Sequence, residues 1–155
     1  MQDNKFLVKL NRARRVEKEI LHWYKHQDPE AKLTEGYNPD FDIVGPKGSV
    51  EVKEDRMAHQ TGNYALEYET HDGKPSGYAG TKATIFCIVD WEYVALMDTH
   101  VLKDIVDTLE VKKVVEMGQV FPDGKKNKGW LIPREKILNN PMVVLKERWF
   151  PNYDN

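Results

Sequence analysis

The stretch Asn38-Pro39-Asp40-Phe41-Asp42-Ile43-Val44-Gly45-Pro46-Lys47-Gly48-Ser49-Val50-Glu51-Val52-Lys53 decides how this chain is read. Two short strand-like runs, 40–45 and 48–54, flank a Gly-Pro-Lys-Gly turn, which is the pattern of a hairpin. With Val44 opposite Ser49, Asp42 falls opposite Glu51 and Asp40 opposite Lys53. Side chains alternate across a strand, so these four share one face, while Phe41, Ile43, Val50 and Val52 share the other. Two carboxylates side by side repel, and a hairpin gains nothing from pairing them. A divalent cation between them removes the penalty, and a lysine beside it can act on a phosphate or a water. The register therefore implies hard-metal phosphodiesterase chemistry. Asp40 competes with Asp42 as the ligand; Asp42 is preferred because it lies opposite Glu51 and deeper in the strand. The plain alternative is a hairpin with a polar solvent face, in which Lys53 pairs with Asp40 for about 0.2–1 kcal/mol.

Upstream, the spacing predicts a helix over 10–26. Leu10, Ala13, Val16, Ile20, Leu21, Trp23 and Tyr24 form its apolar stripe, and Arg12, Arg15, Lys18, His22, Lys25 and His26 lie opposite. Asp28-Pro29 stops it. Glu17 falls within the stripe and Glu19 on the far polar side. A carboxylate facing a core is costly unless paired or metal-bound, so Glu17 is a candidate site residue; the other reading is an edge glutamate paired with Arg14. His22 and His26 have metal-ligand spacing, but their cationic neighbours favour plain surface histidines.

Downstream, 55–62 reads as a loop. Residues 63–70 alternate, with Tyr64, Leu66 and Tyr68 on one face and Asn63, Ala65 and Glu67 on the other. If this strand neighbours Glu51-Val52-Lys53, Asn63 or Glu67 reaches the edge of the site, as Asp40 does. His59 and Gln60 lie where they can touch a bound nucleic acid. Residues 71–77 carry turn chemistry. Residues 83–90 read as a buried strand and 92–98 as another. Thr99 is placed to cap a helix with Val101, Leu102, Ile105, Val106 and Leu109 on one face. A strand over 111–121, a mobile basic loop over 122–129, a short strand at 130–132 and a helix with Pro133 as its first residue complete the order. The tail, 146–155, has no assignment. This order predicts an α/β sandwich with a mixed central β-sheet flanked by helices, as one domain over 1–155.

The bulk properties agree. At 155 residues with 40% apolar and 31% charged side chains, the chain can bury a real core. No apolar run approaches membrane-spanning length and no signal-peptide pattern is present, so a cytoplasmic protein with no membrane partner is expected. A single cysteine excludes an internal disulfide and a Cys-based zinc site, and Cys87 reads as a small core residue. The net charge of −2 hides basic clusters: Arg12, Arg15 and Lys18 near the N-terminus, and Lys125, Lys126 and Lys128 further on. Such patches can track a phosphate backbone or be plain solvated faces.

Pro39-Asp40 (or Asp42) followed by Glu51-Val52-Lys53 resembles the signature of the PD-(D/E)xK nuclease superfamily. Thr61-Gly62-Asn63-Tyr64-Ala65-Leu66-Glu67-Tyr68 and Lys74-Pro75-Ser76-Gly77 resemble its small phage and bacterial members. The likeness spans roughly residues 10–95 and leaves the C-terminal third unmatched. It implies a restriction-endonuclease-like fold, with a helix packed on a sheet whose second and third strands carry the metal ligands. It also implies a DNA endonuclease in a bacterial or phage-infected cell, using Mg²⁺ or Mn²⁺. Asp42 and Glu51 would hold the metal with the Val52 carbonyl as a third oxygen ligand, and Glu17 would match the glutamate that the first helix often lends. Lys53 would orient the attacking water or meet the developing charge. The products would be 3′-hydroxyl and 5′-phosphate ends, and a homodimer is plausible for two-strand cleavage. The competing expectations are a catalytically silent DNA-binding relative and an interaction protein with a structural cation site.

Overall fold

The computed structural model describes residues 4–35 and 41–148. In chain order the elements are α1 (Asn4–Tyr24), β1 (Lys32–Leu33), β2 (Ile43–Gly45), β3 (Gly48–Glu54), α2 (Ala58–Thr61), β4 (Asn63–Glu69) and α3 (Gly77–Gly80). They continue with β5 (Ile85–Val89), β6 (Tyr93–Asp98), α4 (Thr99–Asp107), β7 (Lys113–Met117), β8 (Asn127–Pro133), α5 (Arg134–Leu138) and β9 (Val144–Glu147). A six-stranded mixed sheet runs β1-β2-β3-β5-β6-β9, with β3 and β5 parallel, and a separate three-stranded sheet runs β4-β8-β7. The α/β class and the mixed sheet are as expected; the second sheet is new. No helix among the described residues is long and apolar enough to cross a membrane.

β5 shows why the central sheet is covered on both sides. Its alternate residues serve two cores, so the run reads as continuously apolar. Cys87 and Val89 join Val16, Ile20 and Tyr24 of α1 with Ile43, Val50, Val94 and Leu96. Phe86 and Ile88 join Val101, Leu102, Ile105 and Val106 of α4 with Tyr64, Leu66 and Ile132 of the smaller sheet. The helix α1 therefore lies on one face of the main sheet, and α4 with the smaller sheet on the other. Cys87 is fully buried as expected, and burial pushes its thiol well up from the usual range. Fully burying an Ile such as Ile20 contributes about 1.5–3 kcal/mol.

The hairpin has the expected register. Gly45 pairs with Gly48, Val44 with Ser49 and Ile43 with Val50. The regular ladder ends at Ile43–Val50; Asp42 N–H also donates to the Val50 carbonyl over 2.9 Å, a slip of one residue from the direct Asp42–Glu51 pairing expected.

Several expectations are corrected. α1 begins at Asn4, and the segment read as a loop over 55–62 contains the short helix α2. β4 does not neighbour β3, whose partners are β2 and β5; it pairs with β8 in the other sheet. Thr99 is the first residue of α4, not its cap, and its hydroxyl donates to the Ala83 carbonyl. The basic segment is a short turn closed by Gly124 N–H to the Phe121 carbonyl, with Asn127 and Lys128 already in β8. Pro133 ends β8 and precedes the first turn of α5. Of the unassigned tail, Lys146 and Glu147 lie in edge strand β9, paired with β6.

The two sheets are pinned together by a buried acid that terminates the apolar run of β5. Asp90 is fully buried and accepts from the Tyr64 hydroxyl (2.6 Å), Arg134 Nε (2.9 Å) and the backbone N–H groups of Glu92 and Tyr93. Burial alone would raise its carboxyl, but the Arg134 and Tyr64 hydrogen bonds outweigh this and hold it below the usual carboxylate range.

Candidate functional site

A cleft of about 760 Å³ opens between α1, the β2–β3 hairpin and the segment 67–81. Glu17, Asp42, Glu51, Val52, Lys53, Glu67 and Arg12 all line it. Asp42, just before β2, and Glu51 of β3 both enter it from the hairpin. Asp42 Oδ2 accepts Val52 N–H over 2.8 Å, so this carboxylate takes over where the β2 ladder ends. Val52 lies two residues beyond Val50, whose carbonyl takes the last backbone bond from β2. Its own carbonyl thus faces the same strand edge, beyond the end of β2. Glu51 Oε2 accepts from Thr81 Oγ1 at 3.1 Å, a positioning partner with no signature in the sequence. Lys53 Nζ stands 4.0 Å from Glu51 Oε1 with about half its side chain exposed, a contact too loose and wet to be a strong ion pair.

Glu17 enters from the helix. Burial and then the Asp42 carboxylate push it up to about 7, against the pull of Arg14, whose Nη1 lies 3.4 Å away. Glu17 thus pairs with Arg14, as the edge reading has it, and also faces Asp42. An acid with a raised folded pKa holds its proton between 4.5 and about 7 while the unfolded chain has lost its own. Its contribution to stability therefore falls as pH rises through that window. Above pH 7 the Glu17 charge is a cost to the fold.

The structure corrects the other faces of α1. Arg12, expected opposite the stripe, turns to the cleft and donates to Glu54 through Nε at 2.7 Å. Glu19, expected at solvent, is half-buried and paired with Arg148 Nη2 at 3.1 Å; the same guanidinium reaches Glu54 at 3.3 Å. Glu17→Gln and Glu19→Gln should therefore move the melting temperature in opposite directions. In EDTA at pH 8, Glu17→Gln removes a repelled carboxylate and should raise Tm by about 2–4 °C, corresponding to roughly 1 kcal/mol. Glu19→Gln weakens a half-buried charged pair and should cost about 1–2 kcal/mol. Shifts of the same sign in thermal melts would show that Glu17 is not held against Asp42.

The remaining candidates separate. Glu67 reaches the cleft, but from the smaller sheet, and Asn127 Nδ2 donates to its Oε1 at 2.9 Å. Asn63 does not reach it and instead bonds Thr61. Gly77, in the opposite wall, has φ +56°, and a Cβ there would strike the Glu67 carbonyl, so only glycine lets the two segments close. Gln60 lines an adjoining cavity. Arg15 and Lys18 are exposed on α1, away from the cleft lining. Lys125, Lys126 and Lys128 flank Asn127 at the start of β8, and Lys128 lies 3.8 Å from Glu69. Asp40 lies outside the described residues. His22 and His26 are exposed, as expected.

Among the described residues no group of three or more His, Cys, Asp or Glu side chains is gathered as a metal cage. The donor chemistry nevertheless suits a hard divalent cation. Asp42 and Glu51 present carboxylate oxygens, Glu17 is a carboxylate destabilised by Asp42, and the Val52 edge adds a carbonyl. A scan against protein-family models, a search of curated proteins and a search of solved structures each found no significant match to this chain.

Proposed function

We propose that this chain is a Mg²⁺- or Mn²⁺-dependent DNA endonuclease with a restriction-endonuclease-like fold. The observation that carries the reading is the convergence of Glu17, Asp42, Glu51 and Lys53 on one cleft from a helix and a hairpin. Nothing in the packing of the fold requires those acids to face one another. The mixed sheet, with α1 over the strands that bear the acids, supports the fold assignment.

In this reading Asp42, Glu51 and the Val52 carbonyl hold the cation, and Glu17 adds charge from above. When bound, the cation neutralises phosphate charge and acidifies a coordinated water. Thr81 fixes the rotamer of Glu51. Lys53, extending from the exposed side of its strand, meets the negative charge that grows on the scissile phosphate in the transition state. Arg12 and Arg56 on the cleft wall attract the backbone on either side.

Supercoiled plasmid incubated with the protein tests this directly. Nicked or linear product is expected with Mg²⁺ or Mn²⁺, with 5′-phosphate ends, and none in excess EDTA. Hydrolysis that persists in chelator would remove the metal mechanism. Binding without cleavage in either condition would favour a silent DNA-binding relative.

A further inference from the structure

Beside the carboxylate cleft lies a second cavity of about 570 Å³, lined by Arg56, Met57, His59, Gln60 and Trp91. Arg56 forms part of both walls, so the two spaces are neighbours. Its frame is rigid. Asp55 Oδ1 accepts the N–H groups of Met57 and Ala58, and its Oδ2 accepts Ala65 N–H, tying the end of β3 to α2 and β4.

The lining chemistry is specific. The guanidinium carbons of Arg12 and Arg56 each lie 5.8 Å from the centre of the Trp91 ring. The His59 ring stands 6.4 Å from it, tilted by 57°. His59 Nδ1 is buried and has no hydrogen-bond partner among the described residues. Met57 is 57% exposed although it is apolar, and Gln60 offers an exposed amide beside it. An aromatic ring, a thioether, an amide and the Arg56 cation together suit a flat heteroaromatic ligand carrying a phosphate. A base inside a duplex is already stacked and paired, so its faces are not available.

We propose that this cavity receives an unpaired nucleobase of single-stranded DNA, stacked on Trp91, whose neighbouring phosphate lies in the carboxylate cleft. The inference rests on the nuclease reading for the cleft, and it narrows the substrate to DNA with a single-stranded segment at the cut. Gln60 meets the base edge, and Arg56 spans base and backbone.

The test is fluorescence anisotropy in EDTA, where turnover plays no part, with a fluorescein-labelled oligo(dT) strand and a labelled hairpin duplex. Trp91→Ala should weaken the single strand by about tenfold or more, with the duplex changed less than about twofold; Trp91→Phe should restore most of the loss. Met57→Glu, at an exposed position that the core does not need, should show the same selectivity at about fivefold or more, and it carries the test if Trp91→Ala fails to fold by circular dichroism. Equal losses for both DNAs, or no loss for either, would overturn the proposal. Tighter binding of oligo(U) than of oligo(dT) would assign the cavity to RNA and overturn it as well. Selective binding with no cleavage of either plasmid or the labelled single strand in Mg²⁺ would leave the base site standing and remove the nuclease reading alone.

Discussion

Asp42→Asn is expected to lower the cleavage rate at saturating Mg²⁺ by about 10²–10³-fold, the range for losing one group that supports charge in the transition state. The structure separates this from a folding defect. Asparagine still offers an oxygen to Val52 N–H, so the 2.8 Å contact that ends the β2 ladder survives. Burial is the main cause of the raised Glu17 carboxyl, and removing the Asp42 charge relieves the second cause, its repulsion. The variant should therefore melt at or slightly above the wild-type temperature in EDTA while losing activity in Mg²⁺. Asp40→Asn should cost far less, because Asp42 lines the cleft together with Glu51 and Glu17. The reverse order of cleavage rates would make the literal Pro-Asp the ligand.

Lys53→Ala is expected to abolish turnover, again by about 10²–10³-fold, while leaving both the fold and DNA binding nearly intact. Half of the Lys53 side chain is exposed, and its nearest described acid is 4.0 Å away. An exposed pair of that geometry contributes about 0–1 kcal/mol, so a melt should barely register its loss. The charge matters only where negative charge accumulates on phosphorus, so the rate should fall without a matching rise in the DNA dissociation constant. A variant that cuts at near wild-type rate would make Lys53 an ordinary surface lysine.

How much of the fold and the cleft is legible in the sequence depends on the range of the interaction. The hairpin register follows from a tight turn and from two-residue alternation, so the sequence alone places Asp42, Glu51 and Lys53 on one face. The angle of Glu17 follows from helical period, and the folded chain keeps it. Flanking positions behave differently. The helical wheel sets Arg12 and Glu19 on the polar side, but it gives direction and not what packs there. Glu19 is half-buried because Arg148, 129 residues later, comes to it from the end of β9. Arg12 turns inward because Glu54 stands across from it.

Strand partners are equally hidden. Alternation in 63–70 shows which side of β4 is apolar, and Tyr64 and Leu66 on that side are buried as expected. Alternation says nothing about which strand supplies the backbone hydrogen bonds. β4 finds β8, so Asn63 misses the cleft and Glu67 reaches it from the opposite wall. Asp90 stands out as an acid closing an apolar run, yet Tyr64 and Arg134, which make its burial tolerable, are distant in sequence. By itself, then, the sequence determined what local period and turn geometry can set: the helix, the hairpin, the buried strands and the facing acids. Only the tertiary structure decided the second sheet, the charge network around Arg148 and the cavity beside Trp91, because each depends on which remote segments meet, and that is settled by packing and long-range pairing.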